Sequence, residues 1–360
     1  MRAQRLVLSA IITACLLGVC REASAIPAFA RKEGVPCSYC HYRFNRLNQA
    51  GLDYYRKGFR TKVEPASSHA PIKEDFGNYF SGEGRTDLNK RTDRNYSTNA
   101  RITLFGGGEV SPYLSFLVET TVAPADFQEL ADLFIGYTVG QDDKFAFIRG
   151  GQLLPFLLVD NPFEIAADRD PVFPRDRRVG ASAGYSYGKV WGELVAGTSA
   201  SAAGVSTGNN VDVVANGQYI ANDKGTSFGG YYWHGNFNNT PTLADPYDRG
   251  GVVGNFNEFS PFLIAAGFSA GKGDSGGGGT TKTNGGFVQG EYVFSDKFSA
   301  LLHYVRVDPD TALAGDKKNI YTAGVFIWPA GNVTLIGQLV ATNQFGATDK
   351  AFRISARFIY

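Results

Sequence analysis

From about residue 76 to the end, apolar side chains alternate with small or polar ones in segments of roughly ten residues, a period of two that predicts strands with one apolar face. The last segment shows it best: Phe352, Ile354, Ala356, Phe358 and Tyr360 share one face, and Arg353, Ser355 and Arg357 share the other. Val288, Gly290, Tyr292 and Phe294 alternate in the same way with Gln289 and Glu291, as do Val333, Leu335, Gly337 and Leu339 with Thr334 and Gln338. A soluble β-sandwich would look alike strand by strand, so the connections must decide. Short turns near Glu109, 141–143, Gly188, 222–224, Asn257, Asp296 and 329–332 alternate with longer polar stretches at 87–96, 122–130, 153–177, 199–210, 237–249, 272–285, 307–318 and 343–349. Seven turns and eight loops join sixteen strands and leave both chain ends at the short-turn rim. The expected fold is therefore all-β, an antiparallel transmembrane β-barrel of sixteen strands, with fourteen as the alternative count. The longest loop, 153–177, mixes five aspartates and glutamates with Arg169, Arg175 and Arg177, and it is read either as a constriction folded into the lumen or as a solvated external loop.

Ahead of the barrel the pattern changes. Residues 1–25 have the three parts of an export signal: Arg2 and Arg5, an apolar run from Leu6 to Cys20, and Ala23, Ser24 and Ala25 as a small-x-small cleavage site. Cys20 follows Val19 where a lipid-attachment site wants a small residue, so a mature chain starting at Ile26 is expected. No later apolar run approaches the roughly 20 residues of a membrane-spanning helix. A net charge of +1 gives nucleic-acid binding no support.

Of four cysteines only Cys37 and Cys40 lie beyond the signal, and with His41 they spell Cys-x-x-Cys-His. That spacing is the attachment pattern of a c-type haem, two thiols for the vinyl groups and the histidine as proximal iron ligand. A bare Cys-x-x-Cys also occurs in thioredoxin-like and zinc sites, but there is no second pair to complete a zinc site. One covalently attached haem c is the expected cofactor. The segment 26–75 is too small for a core of its own and would be stapled by that haem, forming a small helical head that plugs or caps the barrel spanning 76–360. After His41, the run Phe44, Leu47, Gly51, Tyr54 or Tyr55, and Gly58 has helical spacing, with Arg43, Arg46, Arg56 and Lys57 mostly on the opposite face. Gly51 would let this helix approach a flat porphyrin, and Arg31 or Arg46 would pair a propionate. The distal ligand cannot be methionine, because Met1 is the sole one. His69 is the first candidate by proximity, in the linker 64–73, while His234 and His303 are expected to face the lumen.

Phe29, Ala30 and Arg31, then Cys37 to His41, then Leu47, Asn48, Gly51 and Gly58 together resemble the head of outer-membrane cytochrome-porin fusions, the monohaem family that includes iron oxidases of iron-oxidising bacteria. The resemblance implies Cys37, Cys40 and His41 as haem positions without fixing the electron donor, and the function expected is an outer-membrane electron conduit of Fe(II):cytochrome c oxidoreductase type. Electrons would pass between an extracellular donor such as Fe(II) and a periplasmic c-type cytochrome or other carrier. The stretch Arg149, Gly150, Gly151, Gln152, Pro155 and Phe156 is similar to a segment of the phosphate-selective porin O and P family. From a different class comes the alternative of a diffusion porin whose haem-bearing segment acts as a gate, sensor or docking point.

Overall fold

A computed structural model describes residues 28–36, 39–43, 46–63, 78–92, 96–123, 129–154, 177–199, 211–236, 246–259, 261–274, 280–313, 315–330 and 332–359. Cys37, His69, Tyr360, the export signal, the linker 64–73 and nearly all of the loop 153–177 lie outside the described residues. Among the described residues, two short helices, α1 (Ala28–Glu33) and α2 (Gln49–Arg56), flank a small antiparallel pair of β1 (His41–Arg43) and β2 (Arg46–Leu47). Then come β3 (Phe80–Arg91), β4 (Ser97–Glu109), β5 (Leu114–Ala123), β6 (Glu129–Gln141), β7 (Lys144–Leu153), β8 (Arg178–Tyr187), β9 (Val190–Ser199) and β10 (Asp212–Ile220). The second half adds β11 (Ser227–Asn236), β12 (Pro246–Phe256), β13 (Phe262–Asp274), β14 (Thr280–Ser295), β15 (Phe298–Asp308), β16 (Lys318–Ala330), β17 (Val333–Gln344) and β18 (Ala347–Ile359).

Strands β3 to β18 form one closed antiparallel barrel, each paired with its neighbour in sequence, and β18 closes on β3 from Ala351 opposite Arg91 to Ile359 opposite Glu83. Closure removes every sheet edge, which strands in a membrane require because no water is there to satisfy open backbone groups. All seven short turns fall where the turn residues indicated, and fourteen strands is excluded. The pleat divides the faces as expected. Leu302, Leu339, Val288, Phe352 and Ile354 are exposed on the outer surface, whereas Gln289, Glu291, Thr334, Gln338, Ser355 and Arg357 are buried on the inner one. Outward tyrosines gather near both rims: Tyr185 stacks on Tyr187 near the short turns, and Tyr304 meets Tyr321 with rings tilted at 34° near the long loops. These are the girdles of a barrel seated in a bilayer.

Two expectations are corrected. The stretch 343–349 is not a long loop: the strands run on to a two-residue turn, with Gln344 opposite Ala347 and both Phe345 (φ 52°) and Gly346 (φ 75°) in the left-handed region. The helix after His41 begins only at Gln49, because the β1–β2 pair intervenes. Arg56, on the basic side of that helix, is buried, with 2% exposed.

Candidate functional site

The site grows from α2. Asn48 caps it, its side-chain oxygen accepting from Gly51 N at 3.1 Å while its amide donates to the Tyr39 carbonyl at 2.9 Å. The far end closes through Phe59 N to Tyr54 O and Gly58 N to Tyr55 O, with Gly58 at φ 74°, a Schellman motif. Glycine is needed at Gly58 twice over, since a Cβ there would also meet Ser115 Oγ at 2.9 Å on the barrel wall. A Cβ on Gly51 would lie 2.2 Å from the Cys40 carbonyl oxygen and 2.8 Å from Leu47 Cδ2. Gly51 thus serves the close approach of α2 to the Cys40 backbone.

Between α1, the residues around Cys40 and α2 lies a cavity of about 190 Å³ lined by Phe29, Val35, Leu47, Tyr54, Tyr55 and Phe59, with Cys40 and His41 in its wall. Phe29 stacks on Phe59 at 4.9 Å, and Phe59 on Phe134 of β6 at 6.2 Å. With Leu153 these rings make one apolar cluster joining residues 28–63 to the lumen face of the barrel. Val63 joins Phe145, Phe147 and Trp191 in a second. Burial holds the Tyr54 phenol well above its ordinary range, and Glu33, which accepts its hydrogen bond at 3.1 Å, adds to the effect. Tyr55 is raised too, by burial foremost. Burial lowers Arg56 to about 10, which leaves it charged at neutral pH.

Cations of this segment meet the short-turn rim and the lumen wall. Glu109 receives Lys32 at 3.1 Å and Arg60 at 3.6 Å; Asp142 receives Lys57 at 3.3 Å and the Val63 amide at 2.7 Å. Arg60 also donates to the Pro112 carbonyl, and Tyr42 to that of Lys224. Arg56 lies over Trp191 at 5.1 Å and donates to Gln218. Arg149, in the segment noted for porin similarity, stacks on Tyr55 at 4.7 Å and pairs Glu193 at 3.6 Å. Farther round the lumen, Arg357 stands opposite Arg85, and Arg85 opposite Arg101, with Asp87 bound to Arg85 at 2.9 Å and Arg353 at 3.2 Å.

The structure thus brings together Cys40, His41, Leu47 and Gly51 of the expected site. Arg31, expected to pair a propionate, donates instead to the Phe80 carbonyl at 2.6 Å; the Arg46 side chain lies outside the described residues. His303 faces the lumen as expected, its ring 5.8 Å from Phe287. His234 does not: it points outward, its side chain 59% exposed, and bonds Asp248 at 2.8 Å. Phe59, Arg149, Glu109 and Asp142 were missed. Acidic residues in short turns facing a basic N-terminal segment were the available signal for the last two.

No family model matches the chain, and no curated protein is similar to it in sequence. Its fold has known likenesses. An anion-selective porin from Comamonas acidovorans aligns over 78% of this chain and 98% of its own with a TM-score of 0.61 at 14% identity. The outer membrane channel DcaP of Acinetobacter baumannii covers 78% and 96% with a TM-score of 0.56 at 14% identity. OmpF of Salmonella typhi covers 78% and 97% with a TM-score of 0.58 at 10% identity. At these identities what is shared is the fold, a barrel of the porin kind.

Proposed function

We propose that the chain is a porin-type channel of the outer membrane whose residues 28–63 sit in the periplasmic mouth, narrow the lumen and carry one haem c. The observation that carries the channel reading is the closed sixteen-strand barrel with an apolar outside and polar rows within. Haem attachment rests on the Cys37, Cys40 and His41 spacing, and the residues present fit it. A thiol and an imidazole border a cavity lined mainly by apolar and aromatic side chains, with Glu33 and Thr61 also in its wall, and that apolar majority suits a flat apolar macrocycle. Cys37 and Cys40 would hold the group and His41 would ligate its iron; when bound it supplies one-electron chemistry. Leu47, Phe29 and Phe59 give that cavity apolar walls, and Tyr54 and Tyr55 keep their protons at neutral pH. Purified from a host competent in haem attachment, the full chain should give discrete conductance steps in a planar bilayer and c-type visible bands that survive denaturing electrophoresis. A silent bilayer removes the channel; bands lost on denaturation remove covalent haem.

One observation favours a second reading, an electron conduit. Tyr55 and Phe59 of the cavity lie 6.4 and 6.2 Å from Phe134 on the lumen wall, so a redox group held there would border the barrel interior. In that reading an electron leaves extracellular Fe(II), giving Fe(III), and ends on a periplasmic carrier. Conduit and channel part at one experiment. Rapid reduction by Fe(II) in stopped flow without bilayer conductance selects the conduit, and conductance without reduction selects the channel.

A further inference from the structure

We propose that the outer wall of the barrel, at the long-loop ends of β11 to β14, binds the phosphate of an anionic lipid headgroup; this rests on the outer-membrane reading above. Four outward side chains form one unbroken cross-strand row: His234 opposite Asp248, Asp248 opposite Lys272, and Lys272 opposite Lys282. Each stands two residues from the long-loop end of its strand. Directly opposite side chains are roughly 5 Å apart, and like charges so placed repel. An anion held between Lys272 and Lys282 would relieve that repulsion.

Asp248 supplies only part of that relief. It accepts from Tyr232 Oη at 2.7 Å, engages His234 Nδ1 at 2.8 Å and lies 3.6 Å from Lys272 Nζ, which commits it to the His234 side of the row. Lys272, with its side chain 63% exposed, and exposed Lys282 are left facing outward. The ligand's other half is read from what lies beneath. Phe268, four residues below Lys272, is 53% exposed, and Val252 and Val288 on the flanking strands are exposed on the same face. Four residues of strand are about 13 Å, and strand tilt shortens the vertical drop further, so the lysines stand at headgroup height above a surface that must lie among acyl chains. A molecule meeting both has a phosphate above hydrocarbon, as an anionic lipid does. Tyr232, with its ring on the outer face and its hydroxyl on Asp248, marks the same boundary.

The test uses the full chain in nanodiscs of phosphatidylcholine with a minor fraction of phosphatidylglycerol, released into detergent and weighed by native mass spectrometry. Phosphatidylglycerol should be retained over phosphatidylcholine, and K272Q/K282Q should lose most of that enrichment while K272R/K282R keeps it. Equal retention of the two lipids, or enrichment unchanged in K272Q/K282Q, overturns the proposal. So does displacement of the bound lipid by millimolar inorganic phosphate, which would mark a free-anion site. Unaltered heat-dependent gel mobility checks the barrel of each variant, and K282Q alone replaces the pair if that mobility changes. If the chain proves soluble without detergent, the outer-membrane reading fails, and the lipid site with it; if it enters bilayers without lipid preference, the lipid site alone fails.

Discussion

Replacing Gly51 by alanine tests whether the segment bearing Cys40 and His41 is held by backbone contact with α2. The added methyl would sit 2.2 Å from the Cys40 carbonyl oxygen, and that atom belongs to a backbone pinned by its own bond from Asn48 N at 2.9 Å. Overpacking typically costs about 1–3 kcal/mol, and a contact this short against backbone belongs in the upper part of that range, about 2–3 kcal/mol. Against it, alanine favours a helix interior over glycine by about 1 kcal/mol. The balance is a loss of about 1–2 kcal/mol, a 5- to 30-fold rise in the opened fraction of residues 28–63. Limited trypsin digestion of the detergent-folded protein reads that fraction when reclosing outruns cleavage. Cleavage in the segment containing Lys57 and Lys62 should accelerate by that factor while the barrel's heat-dependent mobility stays unchanged. Rates within twofold of the parent, or slower, would refute the reasoning, because the helix gain would then outweigh a contact that does not confine the methyl.

Three other outcomes are expected. Glu109→Gln removes the shared acceptor of Lys32 and Arg60, so tryptic opening should rise by about fivefold, equivalent to about 1 kcal/mol, and the difference should shrink in 1 M salt, where the Debye length is about 3 Å; salt-independent opening would contradict an ionic latch. Tyr54 and Tyr55 both have phenols raised above the ordinary 10, so the folded segment holds those protons more tightly than the open one, and its stability is level below pH 10 and falls as pH rises past it. Each contributes up to about 1.4 kcal/mol per pH unit, and Arg56, which burial lowers to about 10, opposes one of them over the same range, so Tyr54→Phe should remove most of the slope of opening against pH between 10 and 11. His234→Ala should leave any haem spectrum untouched, since His234 lies on the outer face; a shifted spectrum would put it back among the distal ligands.

The barrel was legible because its signals are redundant. Strand pairs joined by short turns, with both ends at one rim, force an even count, and each turn carries its own glycine, asparagine, aspartate or proline. The misread loop 343–349 shows where redundancy stops: Asn343, Gln344 and Thr348 are as polar as a loop, and a phenylalanine in the left-handed conformation at Phe345 is no recognised turn signal. His234 failed for a different reason. On β11 the inward Tyr231 and Trp233 are as aromatic as the outward Phe228 and Tyr232, so hydrophobicity cannot tell one face from the other.

The N-terminal segment was harder to read because its surroundings invert the usual rule. An amphipathic helix is assigned a wet face on the premise that water lies beyond it, and by that premise Arg56 belongs in solvent. Here what lies beyond α2 is the inside of a barrel, itself polar, so the polar face becomes a packing face and Arg56 ends on Trp191 and Gln218. The same inversion gives Lys32, Lys57 and Arg60 their partners Glu109 and Asp142 in the short turns. Charge complementarity between an N-terminal segment and one rim of a barrel can be read from sequence once the strands are counted, because the count alone says which turns share that rim. Register inside the lumen cannot be read so. It depends on which wall accepts Phe59, and that was decided by the small residues Ser115 and Thr138 opposite Gly58 together with Phe134 beside them.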